Sequence, residues 1–273
     1  MFPHLSSNGY DWTMRLRIHV LPFIVFASVA SPTANTARAD TGAPDSVPLA
    51  LSGTWYLRIR TATDARIPII GTTRIKSTTH LLATIKDLDG TLMQRQKTCI
   101  VDTRPSRSIT RTVLPKAFID HLPVKSYPIE IREAQSGKWN YRADLIQQYV
   151  GYNGKEANGK IPENADDPSV FDWDEDGKPG ASVMVDIPLF GKVGIYMVQT
   201  NHTVLKGKVV SADRVEGKTH QLVLKQRTIG ADNRLLAANP TLTVGKGHDQ
   251  FEMMRIAEGS TCTDIARHAK GTF

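Results

Sequence analysis

Apolar and polar residues alternate along most of the chain after Leu51. In Trp55-Tyr-Leu-Arg-Ile-Arg60, Trp55, Leu57 and Ile59 fall on one side and Tyr56, Arg58 and Arg60 on the other. A period of two marks a strand with one buried face, as in antiparallel sheets. Residues 67–75 read as a second β-prone run, with Pro68 near its start. Segments 79–87 and 91–102 flank Asp89-Gly90, a dipeptide suited to the two-residue turn of a hairpin. That turn sets Ile85 opposite Gln94, Ala83 opposite Gln96 and Leu81 opposite Thr98. Thr84, Lys86, Arg95, Lys97 and Cys99 then share the other face. Further strands are expected at 127–133, 182–187, 193–200, 203–212, 219–228 and 250–256, with Glu216-Gly217 as another hairpin turn. Residues 139–151 fit helix or strand. Pro115 opens a helical turn that buries Phe118, Ile119 and Leu122, and residues 261–268 form a second. The pattern predicts an all-β fold: an antiparallel β-barrel or sandwich of about nine strands with a few short helical turns. Without an internal repeat a propeller is not expected. Residues 51–273 read as a single β-rich domain, its halves joined by 152–171.

The N-terminus changes the picture. Met14-Arg-Leu-Arg17 is basic, residues 18–30 are mostly apolar, and Ala37-Arg38-Ala39 has the form of a cleavage site. Together they predict a signal peptide over residues 1–39, followed by a flexible leader at 40–50. The chain is expected to be exported, to periplasm or outside the cell, with no transmembrane segment after cleavage. The formal net charge is +7, and loss of three arginines and one aspartate with the signal leaves +5. The charge is spread along alternating patterns, which does not point to nucleic acid.

Cys99 and Cys262 are the cysteines of the chain. In an exported protein such a pair predicts one disulfide. Catalytic patterns are missing: there is no G-x-S-x-G, H-E-x-x-H, P-loop or G-x-G-x-x-G, and histidines occur singly. An active site would have to be assembled by the fold.

Candidate chemistry concentrates in the acidic loop at 164–181. Asp172, Asp174 and Asp176 alternate and Gly177 follows. Three carboxylates at that spacing beside a turn-forming glycine suit one hard cation; Ca²⁺ takes six to eight oxygens. The backbone carbonyl of Lys178 falls at the seventh position of the loop. Asp166, Asp167 and Asp186 are the nearest further donors.

This loop resembles the first half of an EF-hand loop and, more closely, the calcium loops of FG-GAP and thrombospondin type 3 repeats, where an acidic turn runs straight into a strand. Gly180 and Val183 depart from those patterns, at positions where FG-GAP loops usually carry Asp and EF-hands a bidentate Glu. Asp167-Pro168, the D-x-D-x-D-G-x-P-G run ending at Gly180 and the late Cys262 are similar to exported β-rich proteins of proteobacteria. Gly53-Thr54-Trp55 resembles the G-x-W that opens the lipocalin barrel. That resemblance implies a Trp on the barrel floor and a cup for a small apolar ligand, with Trp55, Gln94 and Gln96 as candidate lining residues.

Three expectations follow. The first is a non-enzymatic, calcium-stabilised structural or binding module whose partner is an envelope component. The second is a lipocalin-like carrier of a small apolar ligand. The third is a hydrolase with a fold-assembled site.

Overall fold

The segments flanking Asp89-Gly90 pair as the alternation predicts. In the computed structural model, which describes residues 51–67, 71–106, 111–134, 137–187, 191–233 and 237–270, β1 runs Gly53–Ile67, β2 Gly71–Leu88 and β3 Thr91–Pro105. The expected signal peptide and leader lie outside the described residues. Asp89 and Gly90 both take positive φ, 52° and 82°, as a type I′ turn requires. Ile85 faces Gln94, Ala83 faces Gln96 and Leu81 faces Thr98. Ile100 then faces His80, so Cys99 has no residue opposite and forms a bulge.

The remaining strands are β4 (Arg111–Val113), β5 (Lys125–Ala134), β6 (Lys138–Asp144), β7 (Gln148–Val150), β8 (Ala181–Ile187), β9 (Gly191–Ser211), β10 (Arg214–Ala231), β11 (Thr241–Val244) and β12 (Gln250–Ile256). Two helices, α1 (Lys116–Asp120) and α2 (Cys262–Lys270), complete the described residues. All pairings between named strands are antiparallel, and eight strands close a ring in the order β1-β2-β3-β5-β6-β9-β10-β12 and back to β1. No helix among the described residues is long and apolar enough to cross a membrane.

The all-β antiparallel expectation holds, with twelve strands among the described residues where about nine were expected. Several other expectations need correction. Of the run expected at 67–75, Ile67 ends β1 and residues 71–75 open β2, while 68–70 lie outside the described residues. Residues 193–211 belong to one strand, β9, which runs through Asn201 and His202; both pair with β10. Glu216 and Gly217 lie inside β10, because the turn between β9 and β10 falls at Ala212 and Asp213. Glycine there reflects close strand approach, not a turn. Residues 139–151 resolve into β6 and β7.

Two large cores follow from the inward positions, beside a small cluster at Ala65 and Ile75. One fills the ring around Trp55, Leu57, Leu81, Tyr127, Tyr141 and Phe251. The other lies where β9 outruns the ring and pairs with β8; Phe118, Val150, Val183 and Met197 pack there, with Trp173 against them. Tyr56, expected on a solvent face, is fully buried. Helix α2 covers it: His268 stacks on Tyr56 at 5.6 Å, and the Cys99–Cys262 disulfide pins the helix to the outer wall across 163 residues.

Candidate metal centre

The acidic loop is held at both ends by backbone pairing. Tyr152 bridges Val170, and Asp172 bridges Gly180. Trp173 N–H donates to Gly180 O at 2.8 Å, and Gly180 N–H donates to Phe171 O at 2.9 Å. β8 begins at the next residue. Gly180 has φ 79°, and a Cβ there would lie 2.6 Å from the Met197 carbonyl. The departure from the FG-GAP pattern is therefore a packing requirement: the loop sits too close to β9 for any side chain at 180.

Within this frame the three carboxylates converge. One oxygen from each of Asp172, Asp174 and Asp176 lies within 4.8 Å of the others. Backbone amides fix them. Asp172 accepts from Asp176 N–H at 3.1 Å and Gly177 N–H at 2.8 Å. Asp176 accepts from Lys178 N–H at 2.9 Å. Asp174 Oδ2 accepts from Ser182 N–H at 3.1 Å. Positive φ at Glu175 (57°) and Gly177 (81°) produces the reversal.

Asp174 differs from its neighbours. It is 3% exposed, and its Oδ1 is buried without a hydrogen-bond partner among the described residues. Burial pushes its pKa up to about 6; the Ser182 amide opposes that, and the Asp176 and Asp172 charges add to it. A buried, unsatisfied carboxylate oxygen is costly unless something cationic meets it. A hard cation at the mouth of the three carboxylates would supply that partner.

The other sequence-predicted donors lie elsewhere or are engaged. Asp166 is exposed. Asp167 accepts from both the amide and hydroxyl of Ser169, which lowers its pKa. Asp186 stands at the far end of β8, opposite Lys192 and Arg111. None of the three belongs to the cluster. The Lys178 side chain lies over the Tyr196 ring, 5.5 Å from its centroid. A neighbour that the sequence did not reveal is His121, at the C-terminal cap of α1, with Nε2 3.5 Å from Glu175; only the fold brings these distant positions together.

Trp55, Gln94 and Gln96 do point into the ring, each at most 2% exposed. Trp55 Nε1 donates to Leu51 O at 3.0 Å, and the Arg255 guanidinium lies 4.5 Å from the Trp55 ring centroid. Tyr141 donates to Gln94 Oε1 at 2.7 Å, Gln94 Nε2 donates to Tyr127 at 2.8 Å, and Tyr127 donates to Gln96 Oε1. The glutamines thus bond to buried tyrosines.

Tyr56 and His80 form a further buried cluster, invisible to sequence patterns. Tyr56 Oη and His80 Nδ1 are 2.6 Å apart, and His80 Nε2 is 3.4 Å from Asp102.

No family model matches the chain, and no curated protein matches it. Among solved structures it is similar to DynF from the dynemicin biosynthesis pathway of Micromonospora chersina, at 10% identity and a TM-score of 0.36, over 85% of this chain and 96% of that one. We draw nothing about function from a likeness so distant.

Proposed function

We propose that the protein is a non-catalytic, calcium-stabilised β module that works as a binding or structural component outside the cytoplasm. One observation carries the calcium reading: the unsatisfied buried oxygen of Asp174 beside two further carboxylates. Asp172, Asp174 and Asp176 would hold the ion, with the Lys178 carbonyl as a further donor. The ion would neutralise the three carboxylates and tie the loop to the start of β8. The disulfide supports export, because such bonds persist in oxidising compartments. In that reading N-terminal sequencing of the mature protein returns Asp40, and recovery of the 14–30 segment would refute export by this signal.

The carrier reading needs an open cup beside Trp55, Gln94 and Gln96, yet that interior is occupied by the Gln–Tyr network and its apolar neighbours. The hydrolase reading needs an accessible nucleophile. Tyr56 is sealed beneath α2 and His80 is 2% exposed, so that pair anchors the helix.

The decisive experiment is a thermal melt in excess EDTA and in millimolar Ca²⁺. A calcium-dependent rise supports the proposal; identical melting temperatures would refute it. Mg²⁺ should do much less, since it demands a tighter octahedron and sheds water reluctantly.

A further inference from the structure

We propose that the outer face of the ring carries a trough for a linear acidic oligosaccharide, distinct from the acidic loop. Two adjoining hollows form it. The larger, about 800 Å³, lies over β6, β9, β10, β12 and β1; the smaller, about 330 Å³, continues across β1 to β2 and β3. Arg58 and Arg60 line both.

Gly207 and Gly217 lie directly opposite each other in the larger hollow. A Cβ on Gly207 would lie 2.9 Å from Phe251 Cζ, and one on Gly217 would strike the backbone of β9. Only glycine permits this close approach of β9 and β10, so the floor of the larger hollow depends on the pair.

The charge in the trough is one-sided. Eight Lys and Arg residues line the two hollows against three carboxylates. Those carboxylates are engaged: Glu252 with Arg58 and Arg214, Glu216 with Arg214, and Asp102 with His80. Arg60, Lys76, Lys206 and Lys208 form no ion pair with a carboxylate among the described residues, although Lys208 stands opposite Glu216. Lys206 stands directly opposite Lys218, and Lys76 directly opposite Arg104. Like charges across a strand pair are destabilising, and a fold with only stability to serve would alternate them. A concave surface lined by one sign of charge focuses its field on a ligand of the other sign. His248, in the smaller hollow, feels this field: burial lowers its pKa, and Arg60 and Lys76 lower it further, against Asp249.

The identity of the anion follows from what the trough offers. The strands forming it are paired on both sides within the ring, so a peptide cannot add as an edge strand. Phe251 is the one Phe, Tyr or Trp lining the two hollows and is 2% exposed, which denies nucleic-acid bases a large aromatic stacking platform. Side-chain amides of Asn140 and Gln250 in the larger hollow suit hydroxyl groups. A sugar chain bearing carboxylates or sulfates matches both the cations and the amides.

The test is calorimetric titration of the full protein, in calcium and again in EDTA, with four probes of similar length. They are a sulfated oligosaccharide, a polyuronate oligosaccharide, a neutral glucan and single-stranded DNA. We expect one or both acidic sugars to bind, with affinity falling as salt rises, and the neutral glucan not to bind. The double variant Arg60→Gln/Lys206→Gln changes two side chains on the outer face. It should melt like the wild type and bind the acidic sugar about tenfold more weakly or worse. A bound anion opposes the cations around His248, so the His248 imidazole titration followed by NMR should move to higher pH. Arg58, His80, Asp102 and Arg104 share that hollow and complete its charge set. Unchanged affinity in a folded double variant would overturn the proposal. So would equal binding of the neutral glucan, tighter binding of DNA, no binding of either acidic sugar at low salt, or an unmoved His248. Because the calcium melt and this titration read different regions, one can fail while the other stands.

Discussion

The ring interior and the acidic loop both bury polar side chains, and they resolve the cost differently. In the interior, hydrogen bonds run from Tyr141 to Gln94 to Tyr127 to Gln96. In the loop, backbone amides partner Asp172, Asp176 and one oxygen of Asp174, while the other Asp174 oxygen is left buried and alone. A connected network can be a structural device complete in itself. An orphaned carboxylate oxygen is where the proposed ion would sit, although other buried polar atoms, both amide atoms of Asn201 among them, also lack a partner among the described residues. The comparison predicts that the loop responds to a metal ion and the interior does not.

The largest expected effect is on the loop. Calcium binding only to the folded state adds about 2.7 kcal/mol at a hundredfold excess over Kd, a rise of about 5–10 °C at about 2–4 °C per kcal/mol. Asp174→Asn should erase that rise while keeping an oxygen for the Ser182 amide, which Asp174→Ala would strip. A calcium-dependent shift that persists in Asp174→Asn would place the ion elsewhere.

Next is the interior. Tyr141→Phe leaves Gln94 Oε1 without the donor that Tyr141 supplied and should cost about 1–3 kcal/mol. The loss should be the same in EDTA and in calcium, by denaturant unfolding in each. A calcium-dependent loss would couple the two regions and break the comparison.

The interior also contains Lys125, 5% exposed beside Tyr127 on β5, where burial pushes its pKa from 10.5 down to about 7. The folded state therefore releases its proton more readily than the unfolded chain. Stability linked to this group should rise as pH climbs from about 7 towards 10.5 and fall as pH drops through 7. In Lys125→Met that slope should vanish, and a variant that keeps it would assign the slope to other groups.

The smallest effect concerns the calcium-free loop. Asp174 is raised from 3.8 to about 6, so the folded state holds its proton more tightly. Its stabilising contribution is full below about 3.8 and is lost as pH rises through about 6. In EDTA, wild type should lose melting temperature relative to Asp174→Asn across that window. Parallel curves would mean that the carboxylate is not strained.

Features set by neighbouring residues were legible in the sequence. The β2–β3 register was readable because a two-residue Asp-Gly turn fixes pairing, and period-two alternation then assigns faces. The convergence of Asp172, Asp174 and Asp176 was readable because five residues around a glycine cannot place them far apart. Two cysteines left one intramolecular pairing. The sequence alone could not show that Tyr56 is buried, since α2 covers it from more than 200 residues away. It also misassigned Gly217, because close approach and turning both select glycine, and only the opposing Gly207 tells them apart. The orphaned oxygen of Asp174 and the gathering of Arg60, Lys76 and Lys206 onto one face depend on ring closure. Burial and charge density are sums over strands distant in sequence, and those sums exist only once the strands have paired.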